Sequence, residues 1–82
     1  MKYEVYAFFD RVSATYGEPF LAPNASVAQR RFQYVMKNAP MVSADSQLYL
    51  IGEYDVSTGT VVGLEKPQFV ANYISEVENE VK

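Results

Sequence analysis

Residues 28–37 read AQRRFQYVMK, a stretch that holds Arg30, Arg31 and Lys37 with no acidic residue beside them. Cations meet phosphates, and an aromatic ring such as that of Tyr34 can stack on a nucleobase. Each stacked base contributes about 1–3 kcal/mol to single-strand binding. Lys2 could add a fourth cation, and Tyr6 and Phe8 two further rings. The competing reading is that Arg, Gln, Tyr and Lys opposite an apolar stripe are what any amphipathic helix needs to stay soluble. On the residues alone that second reading is the stronger.

No other stretch offers comparable chemistry. The carboxylates of Glu4, Asp10, Glu18, Glu53 and Asp55 follow no spacing that would pair them for acid and base work. The 82 residues include no His and no Cys, which removes the usual base near neutral pH and the commonest metal ligands. The four glycines sit in no phosphate-binding pattern, and the Asp55 turn lacks the spaced carboxylates of a calcium loop. The sequence therefore predicts a protein that is not an enzyme and that holds neither cofactor nor metal.

The elements that must position these residues follow from period and punctuation. Lys2 to Phe9 alternates, with Tyr3, Val5, Ala7 and Phe9 as the expected core face and Lys2, Glu4, Tyr6 and Phe8 on the other side. The aromatics of that second side, Tyr6 and Phe8, suit a dimer or other protein interface. Asp10 to Gly17 reads as a turn or short loop, and Pro19 to Ala22 as an edge strand. Ser26 and Gln29 form a capping box for a helix to about Asn38. Its buried stripe would be Val27, Ala28, Phe32, Val35, Met36 and Ala39, which leaves Arg30, Tyr34 and Lys37 outward and Arg31 on the flank. Pro40 ends the helix and 41–46 reads as a loop.

Gln47 to Tyr54 reads as a central strand. DVSTGT at 55–60 is a turn in which Asp55 bonds backbone N–H groups and Gly59 takes positive φ. Thr60 to Leu64 returns as the partner strand. From Pro67 the spacing of Phe69, Val70, Tyr73, Ile74, Val77 and Val81 predicts a second helix, ending in a frayed acidic segment, 76–82. The fold class is α+β: a small antiparallel sheet of about four strands, in the order β-β-α-β-β-α, packed with one central and one C-terminal helix.

Composition bounds the rest. With 49% hydrophobic and 21% charged residues, the chain is globular rather than disordered, and 1–82 reads as one domain. A domain this small buries only about 60% of its unfolded surface, so a partner copy would help it. The net charge of -3 argues against coating a polyanion by bulk charge. It is unevenly spread, however. Residues 1–40 carry five bases and three acids (+2), residues 41–82 two bases and seven acids (-5). The opening MKYEVYAFFD is no signal peptide, and no apolar run approaches the roughly 20 residues that cross a bilayer. A cytosolic protein without membrane contact is expected.

Three segments in order, MKYEVYAFFD, EPFLAPN leading into AQRRF, and IGEYDVSTGTVVGLEKP, resemble the small nonstructural protein of gokushovirus-type microviruses, which are single-stranded DNA phages. The resemblance implies a presumed DNA-binding or replication-associated protein of the host bacterial cytoplasm, active in genome replication or packaging. It brings no catalytic residues, and Arg30 matches best the position where family members tend to place an Arg. The acidic end departs from a simple binding picture. Two functions follow as expectations: weak single-stranded DNA binding through the helix face, extended across a homodimer, or a module that binds a phage replication or capsid protein or a host protein.

Overall fold

The computed structural model describes residues 1–74. Its elements are β1 (Lys2–Asp10), β2 (Thr15–Tyr16), β3 (Phe20–Ala22), α1 (Ala25–Lys37), α2 (Pro40–Ser43), β4 (Ser46–Asp55) and β5 (Thr60–Asn72). The strands form one antiparallel sheet in the order β2-β1-β4-β5, and β3 pairs with the same edge of β1 that β2 uses. The architecture is α+β, as the alternation of periods implies, with two short helices of which only α1 was expected.

α1 starts at Asn24, two residues before the expected cap, because the Asn24 side chain accepts from the Val27 N–H at 3.0 Å. Ala28, Phe32 and Met36 then recur every fourth residue and are buried. They close a core with Tyr6, Ala22 and Leu48, ringed by Phe8, Phe20, Val27, Val35, Leu50, Val70 and Tyr73. Pro40 does stop α1, but it opens the short helix α2 as its first residue, where its missing N–H costs nothing. A loop was expected there.

The segment 10–17 also carries more order than a loop. Val12 N–H donates to the Asp10 carboxylate at 2.9 Å, Ala14 takes φ 59°, and Thr15 and Tyr16 return to pair with Asp10 and Phe9. The 55–60 turn forms as its residues dictate. Ser57 N–H donates to the Asp55 side chain at 2.9 Å, Gly59 N–H to the Asp55 carbonyl at 2.8 Å, and Gly59 has φ 73°.

Two further expectations fail, both in the sheet. First, residues 67–72 are strand and not helix. β5 runs on to Asn72, with Gln68 opposite Leu50, Phe69 opposite Tyr49, Ala71 opposite Leu48 and Asn72 opposite Gln47. The first half of β4 would otherwise present a bare edge. Pro67 is accommodated because residues 64–67 bulge where β4 offers only Ile51, between the Gln68–Leu50 and Gly63–Gly52 pairs. A bulge leaves no ladder bond for proline to break. The remainder of the expected helix, with Val77, Val81 and the acidic 76–82 segment, lies outside the described residues.

Second, the two faces of β1 are exchanged. Tyr6 is 1% exposed and Phe8 lies edge-on to Phe20 and Phe32 at 5.3 and 5.2 Å, so both face α1 and are core. Tyr6 and Phe8 are therefore not available as a dimer or docking face. The physical reason is size. α1 stands off the sheet on Phe32 and Met36, and only large side chains bridge that gap, while the buried phenol is satisfied by donating to Glu4.

Candidate functional site

α1 lays its buried stripe on the sheet and turns its opposite side to solvent. Arg30, Tyr34 and Lys37 stand at i, i+4 and i+7 on that outer side, one above another, and the helix contains no acidic residue. Tyr34 is 71% exposed, an uncommon exposure for a ring and a suitable one for stacking. Lys37 in the last turn also complements the helix dipole. Among the described residues, Arg30 has no ion-pair partner.

Arg31 sits at the flank that the sequence assigns it. Its guanidinium lies 4.7 Å from the centre of the Phe20 ring, a cation–π arrangement that orients the side chain. It borders a shallow recess with Phe8, Glu18, Pro19, Phe20 and Val35. Glu18 borders the same recess, and Arg31 is already engaged with the Phe20 ring, so Arg31 is less free than Arg30 to meet an anion.

Lys2 is not brought to this group. It pairs with Asp55 across the sheet and forms an ion pair with Glu53 at 3.7 Å, in a recess bordered by Glu53, Asp55, Thr58 and Thr60. Carboxylates outnumber the ammonium there, and a phosphate would be repelled.

The structure also presents a surface that residue spacing did not reveal. Partners directly opposite in a ladder share a face, and neighbours along a strand alternate. By that rule Tyr3, Val5, Ala7 and Phe9 of β1 lie on the side away from α1, with Tyr16, Leu21, Gln47, Tyr49, Tyr54, Val61, Phe69 and Asn72 as partners across successive strands. None of them is charged. The charged strand residues Lys2, Glu4, Asp10, Glu53 and Asp55 fall on the α1 side, and Glu65 and Lys66 in the β5 bulge.

Four rings cross this open face from edge to edge. Phe9 meets Tyr16 at 4.7 Å and Tyr49 at 5.6 Å, and Tyr49 meets Phe69 at 5.8 Å. Tyr16 and Phe69 are about half exposed. The small Val5 and Ala7 are buried even here, between cross-strand partners as large as Leu21 and Tyr49. The row escaped the sequence because its members were divided among an expected core face, a loop and a helix.

Tyr6 has a titration shifted well away from its ordinary range. Its phenol is raised well above the ordinary tyrosine range, by burial first and then by the hydrogen bond and negative charge of Glu4. It stays neutral and serves the core, not the surface. Among the described residues no group of three His, Cys, Asp or Glu stands together to hold a metal, and no helix is long and apolar enough to cross a membrane.

A family model described as Phage ORF5 protein matches residues 3–76, which includes every element above. No curated protein matches the chain, and no solved structure does.

Proposed function

Because the chain belongs to the Phage ORF5 protein family, we propose that it is a bacteriophage accessory protein that binds single-stranded DNA weakly through the outer side of α1. In this reading it is nonstructural, non-enzymatic and of the gokushovirus type, and it acts in the host cytoplasm during genome replication or packaging. The observation that carries the reading is the acid-free helix side on which Tyr34, 71% exposed, stands between Arg30 and Lys37. Local charge, not the net -3, sets contact with a polyanion. A bare ring between two cations matches a strand whose phosphates and bases alternate.

The test is fluorescence anisotropy of labelled oligo-dT at several salt concentrations, where the log–log slope is about -0.7 per phosphate neutralised. A slope equivalent to about two or three phosphates is expected, reduced by about one in Arg30→Ala. Tyr34→Ala should weaken binding about tenfold and leave the slope unchanged, because a ring neutralises nothing. Lys2→Ala should change neither. Absence of binding at low salt, or binding indifferent to Arg30 and Tyr34, overturns the reading.

A further inference from the structure

We propose that the open face of the sheet is the seat of a second copy of this chain, packed sheet to sheet about a two-fold axis, with both α1 helices outermost. An antiparallel sheet covered on one side ordinarily alternates apolar inward and polar outward. Here the outward side is aromatic as well as the inward one, and the charged strand residues whose register is set, Lys2, Glu4, Asp10, Glu53 and Asp55, all fall on the α1 side. Such a face has no reason to be wet.

Charge selects the occupant. Nucleic acid needs cations at its phosphates, and none of the residues that the strand register places on this face is one. A second copy would meet the same neutral groups, with Lys2, Glu4, Asp10, Glu53 and Asp55 of each chain on the far side of its sheet. A two-fold contact requires a surface that complements itself, and a neutral face meets that electrostatic condition.

The polar groups on the face are also prepared for burial. Gln47 Nε2 donates to Asn72 Oδ1 at 3.1 Å, and the Tyr49 hydroxyl donates to Gln47 Oε1 at 3.4 Å. Covering them would keep both of these bonds, which reduces the usual penalty for enclosing polar side chains.

The size is sufficient. Four strands at about 4.8 Å spacing are roughly 19 Å wide, and nine residues of β1 at about 3.3 Å span roughly 30 Å. The footprint is about 570 Å² a copy and about 1,100 Å² for the pair, above the roughly 1,000 Å² that a specific interface needs. The described chain does not cover this face either, because Ile74, its last residue, is bonded to Gln33 on the α1 side.

The experiment is sedimentation equilibrium of the full chain over a hundredfold range of concentration. The expected result is a species of twice the 9.3 kDa chain mass. It should be lost in Phe69→Glu and in Leu21→Arg, which place charges on different strands of the face, with the far-ultraviolet circular dichroism of the wild type retained. Tyr34→Glu, on the opposite side of the molecule, should leave the dimer intact. A wild-type chain that is monomeric throughout overturns the proposal without reliance on any variant, and so does a dimer that survives both face substitutions. Oligo-dT that quenches tyrosine emission in the wild type but not in Tyr16→Glu would also overturn it, by assigning the face to nucleic acid. The DNA reading of α1 is unaffected by the sedimentation results, since its own test rests on Arg30 and Tyr34.

Discussion

Gln33 holds Ile74 by both ends of its side-chain amide, with Nε2 donating to the Ile74 carbonyl and Oε1 accepting from the Ile74 N–H at 3.5 Å. The two residues are 41 positions apart, and the clasp fastens the end of β5 to the middle of α1. It also holds the end of the described chain on the helix side of the sheet.

Gln33→Leu keeps the volume and removes both bonds. At about 0.5–1.5 kcal/mol for each partly exposed bond, the variant should lose about 1 kcal/mol, read as a lower urea midpoint at unchanged slope. Amide exchange at Ile74 should accelerate while that at Leu48 falls only with global stability. Unchanged exchange at Ile74 would show that the clasp is not formed in solution.

Tyr6 and Glu4 make stability fall at alkaline pH. The folded phenol is raised above its ordinary value of about 10. The folded state therefore keeps a proton that the unfolded state releases, and its contribution is complete below about pH 10 and lost as pH rises from there toward the folded value. Tyr6→Phe lacks both this term and the bond to Glu4. It should be less stable than the wild type at neutral pH by about 1.5 kcal/mol, with a gap that narrows above about pH 10. Urea denaturation at stepped pH checks it, and a constant gap would contradict the assignment.

Two glycines separate backbone cost from steric cost. A Cβ on Gly59 would meet nothing within 4 Å, so Gly59→Ala should cost only the left-handed backbone, about 1 kcal/mol. A Cβ on Gly52 would stand 2.6 Å from the Val62 carbonyl oxygen. Because that atom is backbone, β4 and β5 must part, and Gly52→Ala should cost about 2–3 kcal/mol. Thermal unfolding of both variants gives the order, and equal midpoints would refute it.

These cases show which parts of the fold the sequence carried. The α1 stripe was legible because Ala28, Phe32 and Met36 repeat at one helical period, and the 55–60 turn because Asp55 and Gly59 act locally. The faces of β1 were not. Period two tells that Tyr6 and Phe8 lie together, but only the bulk of Phe32 across the gap decides that they lie inward. The end of β5 imitated a helix because the register shift between Leu48 and Tyr49 puts Val70 and Ala71 on the same face, Val70 against the core and Ala71 opposite Leu48, so the alternation is broken where it would have identified a strand.

The candidate site divides in the same way. Arg30, Tyr34 and Lys37 were legible because one helix carries them. The ring row was not, because Phe9, Tyr16, Tyr49 and Phe69 come from four strands and meet only after β1 has found β4.

That order of events has a consequence during translation. β1 is made before the strand it pairs with inside the sheet, with Lys2 opposite Asp55 and Asp10 opposite Ser46. At about 5–20 residues per second, roughly 3–11 s separate the synthesis of Lys2 from that of Asp55. Until then Tyr6 and Phe8 have no lasting shelter, and topology rich in distant pairings folds slowly once it can begin. The nascent chain therefore depends on host chaperones or on speed of synthesis, and a host with low chaperone capacity should yield less of this protein for reasons unrelated to its final stability.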